Sequence, residues 1–589
     1  MKRLVNYVAL VCVALCMASC VQDLNTEPID PNSSTSFNAD RMFTKCYACM
    51  AVIGQSSPNS DSDVEDMDAG MSGFYRTIWY CNDLTTDEAF WIWDDAESRG
   101  LPITNWTGTS DMIRGIYTRL NLNIKYCNHY LAYAPQETQE DLYRRAEVRW
   151  IRALHYFYQM DLFLYSPFVI TESSDFPHFL PRHEMYKWLV DELKDIEDKL
   201  PATRVSKYRV GKAAAQLLLA RIYLNADVYN KYNKEWTSNE TWQKAYDAAD
   251  AVIKDNPQHS LVTEKIVTDS GFVYSAYQRL FMADNDREDV IKEAIFQIYQ
   301  DGLYTQSHAG ANFLVAGPRY GGMNAWGITA EWHALRTSPT MVDKFLSPKG
   351  LDRTAAETII YDEYEMPTQL GDDRAILCSY GMNTTDHKNF VLKGGMGMGA
   401  NECFYDSWAG LKFTGVNSSA ALPQLSKSQN LSWADTDIPM FRLAEAYLIR
   451  AEANARKNGN DWNKALSDVN ELRRRANAAE FTSMDEEKLL DEWSREFWFE
   501  GRRRMDLVRF GRFFGKESDQ NRFHWEGRMG KQDMPPAVNS PFFVAGTPEY
   551  MNWFPIPSED KRSNPNFKTD VEGDPNNTFA SEGGDGYTY

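Results

Sequence analysis

The sequence predicts a mostly α fold in which helical hairpins form a scaffold and a long irregular insertion is built onto it. Three observations support this prediction. Several stretches repeat apolar residues at helical spacing and carry helix caps, alanine recurs where neighbouring helices would cross, and the periodicity disappears between about 256 and 435. Helix pairs with small residues at their crossings stack as tetratricopeptide-like units.

The N-terminus has the pattern of a targeting segment. A basic start is followed by an apolar run that is too short to span a bilayer, and the run ends in Met-Ala-Ser-Cys at Cys20, which resembles a bacterial lipobox. We therefore predict a signal peptide over 1–19, lipidation of Cys20, a tether over 20–36 and a single domain over 37–589. Several acyl chains on one cysteine would anchor the protein stably to a membrane. Ordinary secretion with an incidental Cys20 is the alternative.

The first strong helix signal lies in DLYRRAEVRWIRALHYFYQMDLF. Thr138 and Asp141 have the spacing of a helix cap, and Pro167 ends the pattern. One face of this segment carries apolar residues at helical spacing, among them Trp150 and Phe157. The segment is therefore predicted to be a long helix of the scaffold.

Further helices are predicted at about 209–226, 241–254 and 441–457. WNKALSDVNELRRRAN follows as the partner of the last one, and Ser483 and Glu486 have the spacing of a capping box before another helix. Within the insertion, EAIFQIY and NFVLKG have the composition of short strands. Loops as long as this insertion are usually functional or contain small substructures.

Composition excludes some classes of function. The net charge is −21, which argues against binding to nucleic acid and against electrostatic binding to anionic lipid. The sequence shows no nucleophile elbow, zinc-protease motif or kinase motif set, so we predict no catalytic residue and no required cofactor. A surface glycoside hydrolase is a less favoured alternative, because carboxylate pairs can be nominated but their geometry is hidden.

The stretch DEAFWIWDD suggests a contact surface for sugars. Trp91 and Trp93 point to the same side of an extended segment, roughly 6.5–7 Å apart. An indole face can cover the apolar C–H side of a sugar while the hydroxyls remain free. Acidic neighbours favour an exposed position for the pair: Asp87, Glu88, Asp94 and Asp95. Packing in the core is the alternative for any tryptophan pair, and we assign Trp79 and Trp106 to the core.

Four long stretches resemble the sequence blocks of the SusD/RagB family of outer-membrane glycan-binding lipoproteins: RAEVRWIRALHYFYQMDLF, DTDIPMFRLAEAYLIRAEA, EFWFEGRRRMDLVRFG and FPIPSEDKRSNPN. Two more look close to the starch-binding founder of that family: GFYRTIWYCNDLTTDEAFWIW and AYQRLFMADNDRED. The resemblance covers nearly the whole chain. It implies a helical fold with four tetratricopeptide-type units, no catalysis, an outer-membrane surface location, and a SusC-like TonB-dependent transporter as partner.

The resemblance also implies a site for starch or a related α-glucan. In the family founder, an arc of aromatic rings and a few polar side chains hold the glucan, and the matching positions here are Arg76, Trp91, Trp93, Ala96, His308 and Trp326. Ala96 replaces an asparagine and His308 replaces a tyrosine, so the preferred glycan could differ. The RagB branch of the family implies a further alternative, a peptide ligand.

A calcium ion is a separate expectation. Asp284 with Asp286, and Asp435 with Asp437, place carboxylates at alternate positions, and hard oxygen ligands suit Ca²⁺. The founder of the family carries calcium near such segments, so the resemblance implies a structural calcium here. The spacing does not match an EF-hand, and solvated loops remain the alternative in a chain with 83 acidic residues.

Overall fold

The structure is a computed structural model that describes residues 36–54, 62–91, 101, 106–231, 233–319, 326–352, 358–364, 366–379, 408–422, 432–513 and 552–567. The predicted signal peptide, Cys20, nearly all of the tether, Trp93, Ala96 and NFVLKG lie outside these ranges. Among the described helices, none combines the length and the apolar character needed to cross a bilayer. The prediction of a single domain over 37–589 is not tested by these observations.

Helices dominate the described residues, as predicted. The α-helices are α1 Ala39–Ala51, α2 Phe74–Trp79, α3 Asp111–Tyr133, α4 Gln139–Leu162, α5 Arg182–Glu197, α6 Lys212–Leu224, α7 Ala226–Tyr229, α8 Thr241–Lys254, α9 Glu288–Ile291, α10 Asn312–Val315, α11 Pro339–Leu346, α12 Leu443–Lys457, α13 Leu466–Arg475, α14 Glu486–Phe497, α15 Arg503–Arg509 and α16 Ser558–Ser563. Tyr80–Leu84 continues α2 as a π-helical turn. Short 3₁₀ turns precede α8 and α13.

The strands are short and pair two by two. They are β1 Ala89–Trp91, β2 Tyr165–Phe168, β3 His178–Pro181, β4 Ile266–Val267, β5 Val273–Tyr274, β6 Ala294–Ile298, β7 Leu335–Thr337, β8 Leu377–Cys378, β9 Ala409–Gly410 and β10 Ile438–Arg442. The antiparallel pairs are β1 with β7, β2 with β3, β4 with β5, β6 with β10 and β8 with β9.

The scaffold is a row of packed helices. α4 packs between α3 and α5, α6 packs on α5 and α8, and α8 packs on α12. The crossings use small side chains, as predicted: Ala245, Ala249 and Ala444 are fully buried. Because α8 and α12 are neighbours in space, the irregular segment between them leaves the scaffold and returns to it. The predicted insertion is confirmed in this sense.

The structure confirms one of the two predicted capping boxes. α4 begins at a capping box in which Thr138 Oγ1 accepts from the Asp141 N–H at 3.1 Å and Asp141 accepts from the Thr138 N–H at 2.9 Å. The capping box predicted at Ser483 and Glu486 is wrong. Asp485 caps α14 instead, because its carboxylate accepts from the Lys488 N–H at 2.8 Å.

Candidate functional site

The site is built around the guanidinium of Arg76, which lies on α2. Its Nε and one terminal nitrogen donate to the Tyr80 hydroxyl, one helical turn away, at 2.9 and 2.6 Å. The other terminal nitrogen donates to the backbone carbonyl of His308 at 3.0 Å. Arg76 is 6% exposed, so these bonds satisfy a buried cation and join α2 to the insertion.

Four aromatic rings surround this guanidinium. Its central carbon lies 5.1 Å from the ring of Tyr80, 5.2 Å from Trp91, 5.5 Å from Trp332 and 5.8 Å from Phe313. Such cation–π contacts stabilise each ring in a fixed position. Arg76 therefore organises the aromatic cluster, and its hydrogen bonds go to protein groups.

The sequence folds this way because two glycines permit close approach. A Cβ placed on Gly73, the N-cap of α2, would lie 1.9 Å from the Cβ of Ala309, next to His308. A Cβ on Gly70 would lie 2.4 Å from a terminal nitrogen of Arg76. Larger residues at either position would push the His308 loop away from the helix or displace the guanidinium.

His308 connects this buried cluster to the surface. Its imidazole is half-buried and contacts the ring of Trp332 at a centroid distance of 5.6 Å and the ring of Trp433 at 5.0 Å. Burial, together with the positive charge of Arg76, lowers the pKa of His308 below its ordinary value. A neutral imidazole between two half-buried indoles gives three adjacent ring surfaces that water reaches in part.

The backbone of Trp332 is held by the residues that follow α10. The backbone N–H of Trp332 donates to Ala316 O at 2.9 Å, and the backbone N–H of Ala334 donates to Gly317 O at 2.8 Å. Trp332 is followed closely by β7, whose Leu335 pairs with Trp91 of β1. The strand pair thus brings two distant tryptophans to the same guanidinium.

The structure changes the predicted site in two respects. Trp91 joins Arg76 and His308 as predicted, but it is 3% exposed, so its side chain is part of the buried support. Trp326 is 4% exposed and contacts Tyr364 at 6.0 Å, and it lines a cavity with Met282, Leu411 and Lys412. Both indoles are therefore buried in this structure, and their contact with a glycan stays a prediction.

The acidic neighbours of Trp91 are also buried. Asp87 and Glu88 are each 1% exposed. Asp87 accepts from Arg503 at 2.8 Å and from Lys344, and Glu88 accepts from Ser494 at 2.7 Å. The inference that these acids mark a watery surface is wrong, because each has a buried partner. Trp93 and Ala96 follow Trp91 outside the described residues.

Sequence reasoning missed two aromatic residues of the cluster, Trp332 and Trp433. Only five residues separate Trp326 from Trp332, so the sequence does not show which of the two indoles reaches Arg76; the β1–β7 pairing decides it. Trp433 stands two residues before Asp435, in a segment that was interpreted only for its carboxylates. In contrast, Trp79 and Trp106 are fully buried, as predicted.

The proposed calcium ligands are engaged with protein groups. Asp284 accepts from the Ser418 N–H at 2.9 Å, and Asp286 accepts from Lys207 at 2.5 Å. Asp437 accepts from the Gln300 N–H at 2.6 Å, and burial together with nearby Asp286 raises the pKa of Asp437. Asp435 lies against Gly302. No group of three His, Cys, Asp or Glu side chains among the described residues could hold a metal. Protein donors contact these carboxylates in this structure, and calcium binding stays a prediction.

Comparison with known proteins identifies the family. The model of the SusD family matches residues 292–571. Starch-binding protein SusD of Bacteroides thetaiotaomicron is 36% identical over 592 aligned residues, which cover 96% of this chain and 98% of that protein. The chain belongs to the SusD/RagB family. Membership makes it a non-catalytic protein, as predicted.

Solved structures of the SusD superfamily have the same fold. A SusD superfamily protein from Bacteroides thetaiotaomicron has a TM-score of 0.59 at 18% identity, covering 90% of this chain and 98% of its own. A SusD-like carbohydrate-binding protein from Bacteroides fragilis has a TM-score of 0.61 at 17% identity, with coverage of 90% and 98%. These likenesses confirm the predicted mostly α SusD-like fold.

Proposed function

We propose that this protein captures starch or a related α-glucan at the cell surface without cleaving it. The observation that carries the proposal is the row formed by the half-buried rings of Trp332 and His308 on the buried Arg76 cluster. Starch-binding SusD is 36% identical over nearly the full length of both chains, which supports an α-glucan as the ligand.

The geometry of the row suits a sugar. Indole faces are large and apolar, and a partly wet site leaves sugar hydroxyls free to hydrogen-bond with water and protein. The rings are fixed by Arg76 and by backbone hydrogen bonds, so little conformational freedom is lost on binding. Single-site affinity in the range of about 1 µM to 1 mM would allow both capture and release.

Affinity electrophoresis in gels that contain starch tests this proposal. We expect the purified protein to be retarded and the Trp332→Ala variant to lose at least about tenfold in affinity, since a central aromatic side chain carries much of the binding energy. Trp462→Ala is the matched control, because Trp462 is half-buried but packs on Phe510, outside the cluster. Reducing ends should not accumulate. Unretarded wild-type protein, or a Trp332→Ala variant retarded as strongly as wild type, would contradict the proposal.

We further propose that Cys20 is lipidated, that the lipid anchors the protein at the outer-membrane surface, and that a SusC-like TonB-dependent transporter receives the captured glycan. The lipobox-like sequence at Cys20 and membership in the SusD/RagB family support this placement. Cys20→Ser should move the protein from the membrane fraction to the soluble fraction. If the variant stays with membranes, another anchor holds the protein. Co-purification of a TonB-dependent transporter with the wild-type protein tests the partner.

A further inference from the structure

Trp433 is held in place on both sides by one buried side chain. Asn312, at the start of α10, is 4% exposed. Its Nδ2 donates to Ser432 O at 3.2 Å, and its Oδ1 accepts from the Ala434 N–H at 2.8 Å. The backbone immediately before and after Trp433 is thus fixed, while the indole itself stays half-buried beside His308.

A neighbouring loop carries an exposed tyrosine on a rigid backbone. Asp301 Oδ1 accepts from the N–H groups of Leu303, Tyr304 and Thr305 at 2.9, 2.7 and 3.1 Å. Tyr304 is nevertheless 88% exposed. An exposed ring on an ordered loop loses little backbone entropy when a ligand covers it, which is typical of a contact residue.

This loop packs directly on the Trp433 segment. Gly302 has φ +66°, and a Cβ placed there would lie 3.0 Å from Trp433 O and 2.4 Å from Asp435 Oδ1. Glycine is needed both for the left-handed backbone and for the close approach. Tyr304 follows Gly302 by two residues, so it lies on the loop that packs against the backbone of Trp433.

We propose that Trp433 and Tyr304 form an additional sugar-binding subsite that extends the Trp332–His308 surface along a longer glycan chain. The inference rests on the proposed function and adds to it a preference for chain length. A short oligosaccharide is covered by Trp332 and His308. A longer one also reaches Trp433 and Tyr304, and its further sugar faces add contacts without a second loss of translational freedom.

Isothermal titration with maltotriose and maltoheptaose tests the subsite. The wild-type protein should bind maltoheptaose more tightly than maltotriose. Trp433→Ala should weaken maltoheptaose about five- to tenfold, as truncation of an aromatic contact does, and leave maltotriose within about twofold. Tyr304→Ala, at a position too exposed to threaten folding, should show the same pattern at smaller amplitude. Tyr133→Ala, at an exposed tyrosine on α3, should bind both sugars as wild type does.

The outcomes separate the two proposals. If wild type binds and both Trp433→Ala and Tyr304→Ala retain the full gain from maltotriose to maltoheptaose, the subsite is overturned and the proposed function stands. Equal weakening of both sugars also overturns it, since Trp433 would then act on the first contact. If wild type binds neither sugar, the proposed α-glucan function itself fails, and the subsite with it. Should Trp433→Ala not fold, Tyr304→Ala decides.

Discussion

At the scale of single residues, Arg76 holds the aromatic cluster together, and its contact with sugar hydroxyls stays a prediction. The resemblance implied an arginine that donates to sugar hydroxyls. In the structure its guanidinium donates to Tyr80 and to His308 O, and it lies within 6 Å of four rings. A buried cation stays in place only if its donors are satisfied, so the aromatic cluster and the hydrogen bonds depend on each other. Arg76 therefore acts as a positioning residue.

Trp326 should behave as a core residue. Trp326→Ala removes a 4% exposed indole and leaves a cavity, which typically costs about 3–5 kcal/mol of unfolding free energy. We expect a clear loss of stability in chemical denaturation. Glycan affinity of the still-folded variant should stay within about twofold of wild type.

Trp332→Ala provides the opposite pattern, with weakened glycan binding and a smaller loss of stability, because its indole is half-buried. If Trp326→Ala were as stable as wild type but no longer bound starch, Trp326 would belong to the glycan site after all.

At the scale of elements, buried hydrogen bonds and ion pairs of two aspartates hold the segment that links α2 to β1. Asp83 accepts from the N–H groups of Gly501 and Arg502 at 2.9 and 3.2 Å, and Asp87 pairs with Arg503 and Lys344. Burial acts to raise the pKa of Asp87, but the charges of Arg503 and Lys344 outweigh burial and hold that pKa below its ordinary value. These pairs fix β1, and with it Trp91, against α11 and α15.

Asp87→Asn should therefore be strongly destabilising. It keeps the shape of the side chain but removes the carboxylate that lies nearest to two buried cations, and breaking a buried pair costs about 3–5 kcal/mol in comparable cases. Chemical denaturation at neutral pH would measure the loss. Because the pKa of Asp87 is lowered in the folded state, its contribution is present above the ordinary carboxyl pKa and disappears only in stronger acid.

Asp198→Asn is the matched control, since Asp198 also pairs with a lysine but its side chain is 89% exposed. That variant should unfold almost as wild type does. Equal stability of Asp87→Asn and Asp198→Asn would show that the buried pairs contribute little beyond what hydrogen bonds alone provide.

At the scale of the whole molecule, buried ion pairs join the insertion to the scaffold. Arg374 of the insertion pairs with Glu492 of α14 at 2.7 Å, and Glu496 pairs with Arg442 and Arg475. Glu293, next to β6, pairs with the same Arg475 at 2.7 Å. Buried charges must be paired, so these contacts specify one arrangement of insertion and scaffold.

Acid should weaken the fold through its buried histidines. Burial, followed by the charge of a nearby arginine, lowers the pKa of His155 and His259 to about 4. In the unfolded chain these histidines have an ordinary pKa near 6.5, so they bind a proton at a higher pH than they do in the folded protein. Protonation therefore favours the unfolded chain, and stability falls as pH drops from about 6.5 towards 4. Between pH 7 and 5 each histidine should account for roughly 2 kcal/mol.

His155→Gln isolates this effect. The pKa values of Asp83 and Asp437 are raised in the folded protein, so their protonation in acid favours the folded state and opposes the effect of the histidines. The difference between the wild-type and variant curves therefore isolates the contribution of His155. The variant should lose less unfolding free energy between pH 7 and 5 than wild type. His178→Gln, at an exposed position of β3, should follow the wild-type curve. Parallel curves for wild type and His155→Gln would contradict the assignment.

The sequence by itself determined the helical scaffold, because helix periodicity and caps are local signals: α8 was predicted at about 241–254 and lies at Thr241–Lys254. The order of the family's long motifs also identified the family. Only the tertiary structure decided which tryptophan meets Arg76, that Asp87 and Glu88 are buried, and that Trp433 stands beside His308. Those outcomes depend on β1–β7 pairing and on contacts between residues hundreds of positions apart, and neither leaves a periodic trace in the chain.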